Sequence, residues 1–520
     1  MNLNFVKSVE NSTESNQSDS VKFAIIFIYI IGILIFSPVT DATSEGISIF
    51  MLIGAIAGGY MAMNIGANDV ANNVGPAVGS KALTLGGAIV IAVIFEALGA
   101  FIGGGDVVST IKKGIINIDA FGGDVDSFVW AMTAALISAG IWLNVATFFK
   151  APVSTTHSIV GGVAGAGIAA GGLALVNWMT MGKIVMSWVI SPMLGGILAA
   201  FFLASIKFST LFKENKVDAA KFWVPIYVGI MTWSFATYII IKGLKKIWPN
   251  IVDVLTFLPD EKKPSFLVAS IFGGIIAIII YVLVKMIISK KNSLENNTKS
   301  INSLFIIPLI FAAALLSFAH GANDVANAIG PLAAINDALT SGGISAKAAI
   351  PVWIMAIGAI GIAIGLALYG PALIKTVGSE ITELNPIRAF SVALAAAITV
   401  IIASQLGLPV SSTHVTIGAI FGVGFLKEFL QDHKHTRRIE EEEEKIELEN
   451  MQIIELKAKI QETVADASKK NVAKNILNLV AELNKEEETL REEKLKQKSL
   501  IKKKYVKRST LKRIAAAWVI

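Results

Sequence analysis

Long apolar runs separated by short polar segments occupy most of this chain. About 20 apolar residues cross the hydrocarbon core of a bilayer, where only helices satisfy the hydrogen bonds of their own backbone. Runs of this kind lie near 22–38, 48–66, 84–105, 127–149, 158–178, 184–206, 222–244, 266–288, 304–320, 349–374, 388–406 and 414–430. A further run, 513–520, is too short to cross, so we expect it to be the start of a truncated final helix. The pattern predicts an all-α polytopic membrane protein with about 12–13 transmembrane helices.

The polar segment 431–512 interrupts this pattern. It combines a run of five glutamates (440–444) and many lysines with Leu and Ile at helical spacing, which predicts a solvated helical hairpin with a break near 466–470. We favour a charged cytoplasmic insertion without chemistry of its own. The predicted organisation is a tail with an extra transmembrane helix (1–47), a first transmembrane half (48–206), connecting helices (207–303), a second transmembrane half (304–430), the insertion (431–512) and the truncated helix (513–520).

Composition agrees with a membrane location. Hydrophobic residues make up 54% of the chain and charged residues 16%, whereas soluble domains are usually about a quarter charged. The first apolar run lacks a small-residue cleavage pattern, so we interpret it as an anchor helix. The net charge of +6 lies outside the apolar runs and indicates basic cytoplasmic loops, not nucleic-acid binding. The absence of cysteine excludes disulfides and thiol chemistry. We expect a multi-pass protein of the cell inner (cytoplasmic) membrane.

Two sequence motifs each occur twice. Gly66–Asn72 recurs letter for letter at Gly321–Asn327, 255 residues later, and Pro152–His157 recurs with one change at Pro409–His414, 257 residues later. The similar offsets indicate one duplication. Seven predicted crossings separate the copies, and an odd number inverts the second copy in the membrane. Inverted repeats predict a site near the midplane, formed by discontinuous helices at the repeat interface.

The first motif suits a cation. An ionised aspartate in a membrane span is costly and usually functional, and glycine and proline close to it are expected to interrupt the helix and free carbonyls. Carboxylate and amide oxygens would complete the shell of a hard cation such as Na⁺, or a proton would load the carboxylate. The alternative is a polar contact that only joins helices. The residues concerned are Asn68, Asp69, Asn72, Asn323, Asp324 and Asn327.

The second motif suits an anion. Hydroxyl residues directly before a glycine-rich apolar helix place hydroxyls and free N–H groups at a helix N-terminus, although plain N-capping uses the same atoms. These residues are Ser154, Thr155, Thr156, Ser411, Ser412 and Thr413. His157 and His414 could donate to the anion, carry protons or hold the hairpin. Glu96, inside a span, is either a proton-linked group or a polar helix contact.

Charge balance then favours coupled transport. Two aspartates and a divalent oxyanion in a low-dielectric site need compensating charge, and no lysine or arginine recurs with both copies of the motifs. Cations from solution, Na⁺ or H⁺, are therefore the expected counter-charge. An enzyme is disfavoured because the chain has no nucleotide-binding loop and no third group to orient a Ser–His pair. No cofactor is expected. An anion channel is the alternative of another class.

These motifs resemble those of the inorganic phosphate transporter (PiT) family. The duplicated Gly-Ala-Asn-Asp-Val-Ala-Asn sequence is highly specific for it, and the resemblance covers roughly 48–430 and resumes at 513–520. It implies sodium- or proton-driven phosphate symport by a homodimer in the lipid bilayer, working by an elevator-like or rocking motion. It places the cation at Asn68, Asp69, Asn323 and Asp324, and phosphate at the six hydroxyl residues. Another tetrahedral oxyanion, sulfate, remains the alternative substrate.

Overall fold

The computed structural model describes residues 19–39, 49–117, 121–149, 151–245, 247–255, 258–259, 261–291, 294–341, 350–380, 384–465 and 472–501. Within these ranges the chain is helical, with one isolated β-bridge between Ile116 and Val176. The helices are α1 (Asp19–Val39), α2 (Ile49–Gly79), α3 (Leu85–Gly103), α4 (Gly105–Lys113), α5 (Val125–Phe148), α6 (Thr155–Gly171), α7 (Trp178–Ile206), α8 (Lys216–Gly243), α9 (Trp248–Val254), α10 (Phe266–Ser289), α11 (Thr298–Leu304), α12 (Ile306–Asp324), α13 (Ala326–Ser341), α14 (Val352–Glu380), α15 (Pro386–Gln405), α16 (Ser412–Ala465) and α17 (Val472–Ile501).

Eleven helical segments of the described ranges are long and apolar enough to cross a membrane, which confirms the all-α polytopic class. The predicted span 158–178 is the exception. It forms α6, whose 17 residues extend about 26 Å, less than the roughly 30 Å of bilayer hydrocarbon. The predicted final run, 513–520, lies outside the described residues.

Both copies of the second motif interrupt helices, whereas the first motif does so only in its second copy. Helix α2 continues through Asp69 and Pro76 to Gly79, and its equivalent in the second half divides only at Val325, into α12 and α13. Helices α5 and α6 pack against each other as a hairpin whose tip includes 151–154. The equivalent tip, 406–411, joins α15 to α16. Helices therefore end at the proline and hydroxyl residues of both tips, and the interruption predicted beside the aspartates is found after Asp324 but not after Asp69.

The two copies of the first motif run in opposite directions. A methyl group added at Gly54 of α2 would lie 3.0 Å from the side chain of Ile335 in α13, and one added at Gly58 would lie 3.0 Å from Leu332. Residue numbers thus rise along α2 as they fall along its neighbour. Since these helices are copies of one another, their antiparallel packing agrees with the predicted inversion, although the count of seven crossings included α6, which is too short to cross.

Glycine in the first motif allows two equivalent helix crossings. A Cβ atom at Gly66 would lie 1.9 Å from the carbonyl oxygen of Ile362 in α14. A Cβ atom at Gly321 would lie 2.1 Å from that of Glu96 in α3. Any side chain at either glycine would push the crossing helix away. The crossings also establish that Glu96 and Ile362 occupy equivalent positions in the two halves.

The described chain divides at Val423 into two compact units. In the smaller unit, α17 lies against the later part of α16, where an ion pair joins Lys457 to Glu487 at 2.9 Å between Nζ and Oε1. Glu455 and Lys459 form a second pair along α16, and this contact holds the pKa of the Glu455 carboxyl below its ordinary value. Both pairs are exposed, so they contribute little stability. The break expected near 466–470 lies outside the described residues.

Candidate functional site

The two aspartates of the duplicated motif come together around one histidine. The Nε2 atom of His320 lies 3.5 Å from Oδ2 of Asp69 and 2.9 Å from Oδ2 of Asp324. All three side chains are fully buried. Helices α2 and α12, which cross neighbouring helices at the motif glycines, place both carboxylates inside the bundle.

The hairpin tips reach these carboxylates. Thr155 Oγ1 donates a hydrogen bond of 2.7 Å to Oδ2 of Asp69, and Ser412 Oγ donates one of 2.9 Å to Oδ2 of Asp324. Thr413 Oγ1 lies 2.7 Å from Oδ1 of Asp69 and so connects the second tip to the first-half aspartate. The two motifs, separated by more than 80 residues in each half, therefore form one cluster.

The tips also contact each other. Thr156 Oγ1 donates to the carbonyl of Val410 at 3.0 Å, and Thr413 Oγ1 lies 3.3 Å from the carbonyl of Val153. Two asparagines brace these threonines. The Nδ2 of Asn72 donates to Thr413 at 2.8 Å, and the Nδ2 of Asn327 donates to Thr156 at 3.1 Å. Each half thus contributes the same contacts to the junction.

Asn68 and Asn323 hold the tips in this structure. Asn68 Nδ2 donates to Thr147 Oγ1 at 3.0 Å and to the carbonyl of Ala151 at 3.1 Å, while its Oδ1 accepts the N–H of Val153 at 3.1 Å. Asn323 Nδ2 makes the equivalent bond to Ser404 Oγ at 2.8 Å. In the part of the chain that the structure describes, Asn323 Oδ1 has no hydrogen-bond partner, so this oxygen remains available to a cation.

The first serine of each tip caps the helix that follows. Ser154 Oγ accepts the N–H of His157 at 3.0 Å, and Ser411 Oγ accepts the N–H of His414 at 3.2 Å. Plain N-capping therefore accounts for the positions of these two hydroxyls. It also directs the remaining N–H groups of α6 and α16 towards the tip junction, where a helix N-terminus favours an anion.

The tip histidines face each other and not the carboxylates. The rings of His157 and His414 meet edge to face with 4.4 Å between centroids, and Trp188 of α7 covers His157 at 3.7 Å. This contact places two imidazoles at the junction of the hairpins. Three roles were considered for these histidines: donating to the anion, carrying protons and holding the hairpin. The geometry fits holding the two hairpins together, or donating to an anion that lies between the hairpins.

Glu96 has a partner that the sequence motifs do not indicate. Its Oε2 lies 3.3 Å from Nδ1 of His320, and its Oε1 accepts a hydrogen bond of 2.7 Å from Asn73 Nδ2. His320 does not recur, since the residue before Gly66 is Ile65, and the duplication therefore gives no sign of it. A usable signal was present: a histidine in an apolar span, four residues before Asp324, lies on the same helical face as that aspartate.

The cluster can bind cations through oxygen atoms. It contains three buried carboxylates (Asp69, Glu96 and Asp324) and one imidazole, so its charge is negative unless protons or cations enter. Within the described ranges, Oδ1 of Asn72, of Asp324 and of Asn327 lacks a hydrogen-bond partner. Buried oxygen atoms without donors are suited to a hard cation, so the residues present fit the expected ion.

Comparison with known proteins gives a consistent result. Residues 65–520 match the model of the "Phosphate transporter family". A "Putative phosphate permease" of Helicobacter pylori is 50% identical over 442 residues, which cover 84% of this chain and 80% of that protein. A protein with the same description from Haemophilus influenzae is 38% identical over 376 residues, 72% of this chain and 87% of that one. A solved structure named "The sodium-dependent phosphate transporter" aligns with a TM-score of 0.67 and 34% identity, covering 74% of this chain and 91% of that chain.

Proposed function

This chain belongs to the phosphate transporter family, and we propose that it carries inorganic phosphate across the membrane in symport with Na⁺ or H⁺ by alternating access. It is a transporter and not an enzyme. The observation that carries the proposal is the single buried cluster in which Thr155 and Ser412 of the two tips donate to Asp69 and Asp324. The groups that we propose for the anion and for the cation are therefore in direct contact.

The tips are the proposed phosphate site. Two helix N-termini and several hydroxyls converge there, and a tetrahedral oxyanion accepts hydrogen bonds from both kinds of group. The residues assigned to phosphate are Ser154, Thr155, Thr156, Ser411, Ser412 and Thr413. Ser154 and Ser411 contribute by capping, whereas the other hydroxyls would turn from the carboxylates to the anion.

Cation coupling is proposed from charge. A phosphate dianion beside Asp69 and Asp324 in a buried site is strongly repelled unless positive charge accompanies it. Na⁺ would be held by carboxylate and amide oxygens, with Asn68 and Asn323 as further candidates, or protons would load the carboxylates. The similar solved structure is that of a sodium-dependent transporter, and this likeness favours Na⁺.

Alternating access is proposed from the hairpins. They belong to inverted repeats and meet through a few hydrogen bonds at their tips, such as Thr156 to Val410. Withdrawal of one tip at a time would open the cluster to one side and then to the other. We further propose a homodimer in the cell inner membrane, with 431–512 as a cytoplasmic helical insertion.

The test is phosphate uptake into proteoliposomes under an imposed sodium gradient and, separately, an imposed proton gradient. We expect accumulation with one of them, and we expect Asp69→Asn and Asp324→Asn to reduce it to background. Asp124→Asn is the matched control, because Asp124 is an exposed N-cap at α5 and asparagine caps equally well. Undiminished accumulation in the Asp69→Asn, Asp324→Asn double variant would overturn the proposal.

The same assay separates the alternatives. Strong inhibition of labelled phosphate uptake by sulfate would indicate the other oxyanion, since sulfate cannot donate a hydrogen bond at neutral pH whereas hydrogen phosphate can. Flux that persists after both cation gradients are dissipated would indicate a channel.

A further inference from the structure

We propose that Asp69, His320 and Asp324 form a binding site for one divalent transition-metal ion, which excludes the coupling cation when it binds. The metal site is inferred from the geometry of the three side chains alone. The exclusion of the coupling cation by the bound metal rests on the proposed function. Such a site would make transport sensitive to ions of the Zn²⁺ and Co²⁺ class.

The spacing of the three ligand atoms matches a small metal ion. His320 Nε2 is 3.5 Å from Asp69 Oδ2 and 2.9 Å from Asp324 Oδ2. The three ligand atoms all lie within 4.8 Å of one another. A tetrahedral zinc ion with bonds of about 2.0–2.1 Å holds its ligand atoms about 3.3 Å apart. The triad therefore needs only small side-chain shifts to enclose the ion.

The ligand set favours a transition metal over Na⁺. Imidazole nitrogen is a common ligand of Zn²⁺, Co²⁺, Ni²⁺ and Cu²⁺, whereas hard cations take oxygen ligands. A charge of +2 would neutralise the two buried carboxylates together. Oδ1 of Asp324, which has no hydrogen-bond partner in the described part of the chain, offers a further oxygen to the ion.

A second layer of residues orients the histidine. Glu96 Oε2 lies 3.3 Å from His320 Nδ1, the ring nitrogen that faces away from the aspartates, and Asn73 Nδ2 holds the other oxygen of Glu96 at 2.7 Å. Histidines that bind metals usually donate their second N–H to a carboxylate, and Glu96 is the carboxylate that lies beside this nitrogen. Glu96 and Asn73 are fully buried, so water does not compete for these contacts.

The proposed metal site includes a histidine nitrogen that is present in only one of the two repeats, whereas the carboxylate and amide oxygens of the first motif are present in both. The position equivalent to His320 is Ile65, that of Glu96 is Ile362, and that of Asn73 is Ala328. Two equal cation sites would need only residues present in both halves. The histidine and its two supporting residues occur once, and they predict one metal ion for each chain.

Binding is tested with Co²⁺ on the purified full-length chain in detergent without phosphate. We expect a saturable visible absorption band at one Co²⁺ per chain and a rise in the unfolding temperature. A wild-type chain that binds no Co²⁺ would overturn the inference. His433 and His435 belong to the polar segment 431–512 and not to this site, so His433→Gln, His435→Gln is the control variant, and it should bind one Co²⁺ as before.

Two variants locate the ion. His320→Ile, which introduces the residue of the equivalent position, should abolish the band. Glu96→Gln should keep the stoichiometry and weaken affinity about 10- to 100-fold, the usual effect of losing the partner of a metal-bound histidine. Unchanged binding in both variants would overturn the assignment, and if His320→Ile proved unstable, unchanged affinity in Glu96→Gln would overturn it.

The exclusion is tested by uptake. Co²⁺ should inhibit wild-type phosphate uptake, and a higher sodium or proton concentration should relieve the inhibition, whichever ion drives uptake. Inhibition that the driving ion does not relieve would overturn the exclusion. If the protein takes up phosphate along a cation gradient but does not bind Co²⁺, only this inference is refuted. If it binds Co²⁺ but shows no gradient-driven phosphate uptake, only the proposed function is refuted.

Discussion

Asp69 and Asp324 carry the same chemistry in different surroundings. Both oxygens of Asp69 lie near hydroxyl donors, Thr155 at 2.7 Å and Thr413 at 2.7 Å. Asp324 has Ser412 and His320 at one oxygen, and its other oxygen has no hydrogen-bond partner among the described residues. The two carboxylates are therefore not interchangeable, although their motifs are identical in sequence.

At the residue scale, the hydroxyl bonds to the carboxylates give the first prediction. Thr155→Val and Ser412→Ala should each lower the initial rate of phosphate uptake by about 10- to 100-fold, because a buried charged group loses a donor and phosphate loses the same donor. Thr155→Ser, which keeps the hydroxyl, should retain most of the rate in the same uptake assay.

The matched control for these hydroxyl variants is Ser158→Ala. The Ser158 hydroxyl donates at 2.8 Å to the carbonyl of Ser154 within α6, a local bond that involves neither carboxylate. Its loss should change uptake less than about threefold, as expected for a neutral local hydrogen bond. An equal loss of activity in Ser158→Ala and Thr155→Val would contradict the assigned role of Thr155.

At the element scale, glycines fix how closely helix α7 approaches α16. A Cβ atom at Gly418 would lie 2.3 Å from the carbonyl oxygen of Pro192, and one at Gly422 would lie 2.1 Å from that of Gly196. These backbone contacts hold the second hairpin against a helix of the first half. Small residues at membrane helix interfaces serve this close approach.

Alanine at these positions should therefore destabilise the protein. We expect Gly418→Ala and Gly422→Ala each to cost about 1–3 kcal/mol, seen as a lower unfolding temperature in detergent, because the two helices must separate. Gly161→Ala and Gly165→Ala are matched controls at the equivalent positions of the first half, where an added methyl meets no described atom within 4 Å. Equal losses in both pairs would contradict the packing argument.

At the scale of the whole molecule, the two hairpins meet through their tips. Thr156 bonds to Val410 and Thr413 approaches Val153, so both halves contribute to one junction. A transporter that opens to each side in turn must break these contacts during every cycle. The junction is consequently the place where a covalent link should be most harmful.

The absence of cysteine makes that link easy to introduce. Val153→Cys, Val410→Cys joined by a short thiol-reactive crosslinker should stop phosphate uptake, because neither tip can withdraw. Each single-cysteine variant treated with the same reagent should continue to transport, and a cleavable linker should restore activity when reduced. Full uptake by the crosslinked double variant would exclude movement of the tips.

The sequence alone determined the class of protein and predicted the residues of its candidate site apart from His320. Apolar length and composition fix a helical membrane fold because they decide which segments leave water. The duplication predicted the inversion, and the residue types of the two motifs predicted cation and anion chemistry. Each of these inferences depends on local composition or on a match between two segments. Both of these properties can be read directly from the amino-acid sequence.

The tertiary structure decided which of those residues meet. It brought Thr413 to Asp69 across 344 residues and assigned Asn68 and Asn323 to bracing the tips. It also added His320, which no repeat indicated. Contacts between distant side chains depend on how helices cross, and helix crossing depends on packing at glycines such as Gly66 and Gly321 rather than on any pattern within one segment.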